Sequence, residues 1–451
     1  MIQNGFSESF PNIDLYQLAV AAACAYGKGL RNTIICEASA RALPPQRRFL
    51  VMAGTEEIRG LLQNLRFTRD DIELIGELEP FRSMMASSGL ERYLEDFRFT
   101  GDFWAMAEGE IVFAGEPLVR ITGPAPEAII AGSCVLPVLN HAVPVASKAA
   151  RLVLASRGRS VIDIGTWKMH GRIASSAARA AYLAGFSATS NIAAVAKYRI
   201  PAAGAMLHPW ILLHESEEEA FRTLSKACKG LEWLGITIDA NDVWDGTTLA
   251  SDMSPSSVVV ESGDPTVVAG GIRKILDANG KQSLKIMALA TDEHEIDRIC
   301  KSGVPVDGFL VDRGLDNQCC DPVEITYDVV YNDTAQLPVA RGDVLPGKKQ
   351  VFLDQRDGGW SHLVTLESSV IPEGGDLAPL LDCHILGGVP QESSSVDLEV
   401  ARKYCNAELL SLHKGLSSLE PKTEEDVPVY AHQDLKVLFE LAANKANKQT
   451  T

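Results

Sequence analysis

"SVVVESGDPTVVAGGIRKILDANGKQSLKIMALATDEHEIDRICKSGVPVDGFLVD", residues 257–312, holds three apolar runs separated by two segments of helix length. The runs SVVVESG, LKIMALA and VDGFLVD are short, β-branched and apolar on both faces, as parallel strands buried on both sides are. DPTVVAGGIRKILDANG and DEHEIDRICKSG carry apolar residues at helical spacing. Strand, helix, strand in repetition implies right-handed crossovers in an open sheet or a barrel. Working outward, SVIDIG (160–165) and GITID (235–239) extend the same pattern towards the N-terminus. Ligand sites of barrels sit at the C-terminal ends of the strands. Asp163, His208, Asp239, Glu261 and Asp312 all fall at or just past such ends. Each alone fits a turn or a helix cap; together they mark one rim.

The rest of the chain frames this core. At 451 residues, two or three packed units are expected. GEIVFAGEPLVRITGP (109–124) reads as short strands with tight turns. The alanine-rich stretch from 125 to 158 reads as buried or interface helix. Irregular strands return from about 335, with a last helix near QDLKVLFELAANKANK. A formal net charge of −17 argues against nucleic acid and anionic membranes as partners. The start has no basic, apolar leader, and no apolar run approaches the roughly 18–20 residues of a membrane span, so an intracellular, cytoplasmic protein is expected. Nine scattered cysteines without a CxxC pair read as reduced thiols, not a metal site.

A family resemblance now joins these readings. DLYQL near the start, RALPPQRRFLVMAG, DFRFTGDFWAMAEGEIVFAGEPLVRITGP, ASKAARLV, AARAAYLAGFSATSN, HESEEEAF, ESGD and LPGKKQVF are similar, in the same order, to motifs of nicotinate phosphoribosyltransferases. The resemblance runs from residue 13 to about 352. It implies a type II phosphoribosyltransferase fold of α/β class, an irregular (β/α) barrel plus an α/β-sandwich domain built from both ends of the chain. Boundaries at 1–124 with 336–451 for the sandwich, and 125–335 for the barrel, follow from the composition shifts. The resemblance further implies a homodimer with shared active sites. The reaction it implies is transfer of ribose 5-phosphate from phosphoribosyl diphosphate to nicotinate, with Mg²⁺. ATP hydrolysis through a phosphohistidine drives that reaction. GAMLHP occupies the slot of the family's GTMAHS-like motif, which puts His208 at the phosphorylatable position.

Other roles carry over unevenly. Tyr16 is an aromatic face for the pyridine ring, and His208, Asp239, Glu261 and Asp264 are the catalytic candidates. Ser262 and Gly263 complete ESGD. DFGxRRxHG reads here as DIGTWKMHG, so Asp163 and His170 persist while two arginines become Trp167 and Lys168. Lysine gives a point charge where arginine gives a bidentate fork. GFGVGT, the phosphate loop, reads as GFLVDRG, placing Asp312 and Arg313 where small residues stand. An aspartate there repels phosphate unless Arg313 turns inward. Pro209 replaces a serine and removes a backbone donor. The FELF strand reads CEAS, a smaller and more polar wall. His141 and His170 are each ligand contacts or structural residues, and Lys148 with Arg151 is a solvated pair or a cationic pocket.

Three functions fit. The first is phosphoribosyl transfer to nicotinate or a related pyridine. A second is an enzyme on the same scaffold acting at the anomeric carbon of another ribosyl compound, such as an intact pyridine nucleotide. The third is a non-catalytic nucleotide-binding regulatory subunit.

Overall fold

A computed structural model of the chain describes residues 12–27, 29–79, 81–206, 208–227, 234–253, 255–313, 315, 323–340, 342–354, 361–370, 377–392, 396–412, 415–420 and 429–449. Two compact units result. One comprises residues 1–140, 323–397 and 423–451; the other comprises 141–322 and 398–422.

The second unit is the barrel. Its seven parallel strands are Ser160–Asp163, Ala188–Thr189, Gly204–Met206, Leu234–Thr237, Ser257–Val260, Lys285–Ala290 and Gly308–Val311. Each lies beside its sequence neighbour, and the last returns to pair with the first. A single parallel bridge between Thr189 and Ala202 joins the second strand to the approach of the third and completes the ring. Strand alternation fills the interior with Ile162, Ala205, Val259, Met287, Leu289 and Leu310, joined by Ile164. Helices Gly171–Leu183, Glu217–Ala227, Val243–Met253, Pro265–Ala278 and Glu293–Ser302 make crossovers. Asp264 and Asp292 cap the last two, accepting from Thr266 N–H and from the N–H groups of His294 and Glu295.

The first unit is built on a seven-stranded antiparallel sheet. An interior strand, Thr33–Ala40, pairs with Pro117–Pro124 on one side and Ile325–Asn332 on the other. A four-stranded sheet follows in the C-terminal part. The CEAS stretch lies in the Thr33–Ala40 strand, where Glu37 is buried and paired with Lys349 at 2.6 Å. The polar wall expected there is a buried ion pair.

Two expectations change. The division falls at 140/141 and 322/323, and residues 398–422 return to the barrel unit. Helix Leu398–Ser411 packs there through Arg402, which donates to the carbonyls of Gly185 and Phe186. The alanine-rich stretch is one helix, Ala125–Ala155, apolar and long enough to cross a membrane, contrary to the absence expected. It is 72% buried inside the fold over its most apolar window, as a core helix is. Cys24, Cys36, Cys134, Cys300, Cys383 and Cys405 are free thiols; Cys228, Cys319 and Cys320 lie outside the described residues.

Candidate active site

The site is assembled by the pleat. Side chains alternate along a strand, so the interior face of Val259 continues to Glu261, and that of Thr237, its cross-strand partner, continues to Asp239. Leu310 continues in the same way to Asp312. These three carboxylates therefore stand at the barrel mouth.

Asp239 is fixed by backbone. Its carboxylate accepts from Glu261 N–H at 3.1 Å, Ser262 N–H at 2.7 Å and Gly263 N–H at 2.8 Å, and its side chain is 7% exposed. Glu261 Oε2 accepts from the Thr237 hydroxyl at 2.8 Å and from His208 N–H at 3.2 Å. The imidazole lies between the two acids, with Nε2 3.5 Å from Asp239 and Nδ1 3.7 Å from Glu261. Both separations exceed hydrogen-bond length, so neither ring nitrogen is committed. The opening residue of the short helix His208–Ile211 is thus a histidine placed between two carboxylates, with its backbone N–H on one of them. Pro209 sits in the first turn, where a backbone N–H has no intrahelical partner to lose. Thr237, which orients Glu261, was not among the sequence candidates; its position one pleat period before Asp239 is the signal that finds it.

On the neighbouring side of the mouth, Lys168 Nζ is 2.5 Å from Asp312 Oδ2. Two departures from the family pattern are therefore partners. The ammonium offsets the charge expected to repel phosphate, and Arg313 is exposed, with no ionic partner among the described residues. Gly165 lies beneath them; a Cβ there would sit 2.5 Å from the Asp312 carbonyl oxygen. Trp167 is 67% exposed, and Lys168 lies 5.5 Å from its ring centre.

Other candidates are placed elsewhere. Asp163 shares the outward face of Val161, not the interior face of Ile162. It accepts from Gly165 and Thr166 N–H and from the hydroxyls of Thr166 and Thr189, at 2.6–3.0 Å. Both oxygens are engaged, so it holds the loop and leaves no room for a ligand. Asp264 is a helix cap whose carboxyl is held below the usual range by Thr266 and then by Arg298 at 3.3 Å. His170 is exposed at the start of helix Gly171–Leu183 without a side-chain cap bond. His141 is buried in the long helix. Ser262 contributes its N–H, with its side chain exposed. Lys148 is buried, not solvated, and shares Glu293 with Arg151, which is 2.9 Å away. Burial alone would raise Glu293, but these cations hold it at about 2. Tyr16 lies in the first unit and is 62% exposed.

Among the described residues, no group of three His, Cys, Asp or Glu side chains is placed to hold a metal ion. Among the described residues the mouth carries the carboxylates of Asp239, Glu261 and Asp312, the imidazole of His208 and two cations, Lys168 and Arg313, which line one cleft with Asp312. The mouth disfavours a bare polyanion and favours a cation or a cation-bound anion.

Comparison with known proteins identifies the family of the chain. Residues 12–140 match the nicotinate phosphoribosyltransferase (NAPRTase) N-terminal domain. The nicotinate phosphoribosyltransferase pncB2 of Mycobacterium tuberculosis is 31% identical over 422 residues, 90% of this chain and 88% of that protein. That of Bacillus subtilis is 28% identical, over 78% of this chain and 75% of its own. Human nicotinic acid phosphoribosyltransferase shares the fold, with a TM-score of 0.81 at 20% identity over 95% of this chain and 99% of that one. A nicotinate-nucleotide pyrophosphorylase from Pyrococcus furiosus does so with a TM-score of 0.70 at 22% identity, over 89% and 96% of the two chains. On the extent of the mycobacterial match, the chain belongs to the nicotinate phosphoribosyltransferase family.

Proposed function

We propose that this protein transfers ribose 5-phosphate from phosphoribosyl diphosphate to nicotinate, releasing diphosphate. The observation that carries the reading is His208 between Asp239 and Glu261 at the mouth of the barrel, in a chain of this family. As the bond from the anomeric carbon to the diphosphate oxygen breaks, positive charge develops on the ribose ring. Preorganised carboxylates stabilise such charge. Asp239 is occupied by three backbone N–H groups, which leaves Glu261 Oε1 as the less engaged oxygen. The pyridine nitrogen then donates its electron pair to the anomeric carbon. Magnesium, on this reading, enters with the diphosphate, consistent with its preference for one or two carboxylates plus substrate phosphates. If ATP is coupled, His208 is its phosphoryl acceptor: a ring nitrogen attacks the terminal phosphorus and ADP leaves. Exposed apolar side chains on successive rim segments, Trp167, Ile192, Leu212 and Leu213, support a homodimer whose partner covers this face; the cytoplasm is the compartment proposed for it.

One observation favours a second reading. With Lys168 neutralised by Asp312 and an indole at Trp167, an acceptor or ribosyl donor with one less negative charge fits the rim. A single assay separates the two. Purified protein is given phosphoribosyl diphosphate and Mg²⁺ with nicotinate, nicotinamide or intact pyridine nucleotides, with and without ATP, and products are read by mass spectrometry. Nicotinate mononucleotide is the expected product, falling by about 100-fold or more in His208→Ala. Turnover of nicotinamide or an intact nucleotide in its place would establish the second reading.

A further inference from the structure

At the end of the barrel opposite the mouth, where strand Ser160–Asp163 begins, lies a cavity of about 580 Å³. It is lined by Arg157, Arg159 and Arg402, and no carboxylate among the described residues lines it. Val153, Leu154 and Leu409 supply an apolar wall, and Asn406 places an amide beside it. In a chain of net charge −17 this is a local reversal of sign.

The arginines are incompletely neutralised. Arg159 donates to the carbonyl oxygens of Val306 at 2.9 Å and Ser156 at 3.5 Å and contacts Cys300 Sγ at 3.2 Å, all neutral partners. Arg402 reaches the Gly185 and Phe186 carbonyls only at 3.4 and 3.3 Å, and its Nε is buried with no hydrogen-bond partner. Glu399 stands 3.8 Å from it and is already engaged by the Tyr182 hydroxyl at 2.7 Å. Arg157 is paired with Asp297 at 2.9 Å, an acid shared with Lys301. A partly buried guanidinium without an anion pays a desolvation cost that phosphate repays with paired, charge-assisted hydrogen bonds.

The geometry points to a second ligand site here, for an organic phosphate of mononucleotide size. The phosphate meets Arg159 and Arg402, a flat ring lies on the apolar wall, and Asn406 reads a polar edge. The volume is within the range of small-molecule pockets. The site is separate from the mouth and does not depend on the transferase reading.

Isothermal titration of the full chain with AMP, adenosine and orthophosphate tests it. AMP binds at least about tenfold more tightly than either fragment, since both halves of the site contribute. Arg402→Gln and Arg159→Gln each weaken AMP about tenfold or more, Arg402→Lys weakens it less, and His208→Ala leaves it unchanged. Should Arg402→Gln fail to fold, Arg159→Gln and Asn406→Leu carry the same comparison. Absence of AMP binding at millimolar concentration overturns the site. So does binding that survives both arginine changes but is lost in His208→Ala, because the nucleotide then occupies the mouth. Equal affinity for adenosine and AMP overturns the phosphate assignment.

Discussion

Asp163 and Asp239 both stand at the end of a barrel strand, yet one is consumed by its own loop and the other faces a histidine. The difference is register. Asp163 shares the outward face of Val161, whereas Asp239 lies two residues beyond inward-facing Thr237. A carboxylate at a strand end thus takes its role from the parity of its position. Asp264 belongs to a third class, a helix cap held by Thr266 and Arg298. Asp264→Ala is expected to lower the melting temperature by a few degrees while kcat stays within about twofold; a kcat collapse in steady-state assays would return it to the reacting group. Parity was available in the sequence and separates these acids. The Lys168–Asp312 pair was not legible: its members stand 144 positions apart, and each alone reads as a lost contact.

At the scale of elements, close approach decides which glycines are required. A Cβ at Gly246, on helix Val243–Met253, would fall 2.2 Å from the Ile238 carbonyl oxygen. The helix therefore sits against the strand end that delivers Asp239. Gly246→Ala should cost about 1–3 kcal/mol in denaturant unfolding, with activity falling as the helix is pushed from the strand. Unchanged stability would mean that the contact relaxes freely. The barrel strands and crossovers were legible, because period-2 and period-3.6 patterns are local. The long helix was less so. Pro137 and Pro144 lie inside Ala125–Ala155, and a proline removes one helical hydrogen bond. Burial of the flanking apolar faces keeps the segment helical across both.

For the whole molecule, acid is the weak side. His384 is buried, and burial, with Arg59 nearby, holds it down at about 4 from the usual 6.5. The unfolded chain takes up this proton first, so stability is full above pH 6.5 and falls as pH drops towards 4. Glu293, held at about 2, adds a loss below its ordinary 4.5. Denaturant midpoints measured across this range should fall more steeply in the native chain than in His384→Leu; identical slopes would remove His384 from the cause. The unit boundaries were the least legible feature, since composition does not disclose that residues 398–422 fold back onto the barrel.

That interleaving has a consequence for synthesis. Strand Thr33–Ala40 pairs with Ile325–Asn332, so roughly 290 residues must leave the ribosome before the sheet can close, about 15–60 s at ordinary elongation rates. Through that interval the strand's backbone edge has no native hydrogen-bond partner on one side. Neither unit can be expressed as an uninterrupted fragment of the gene.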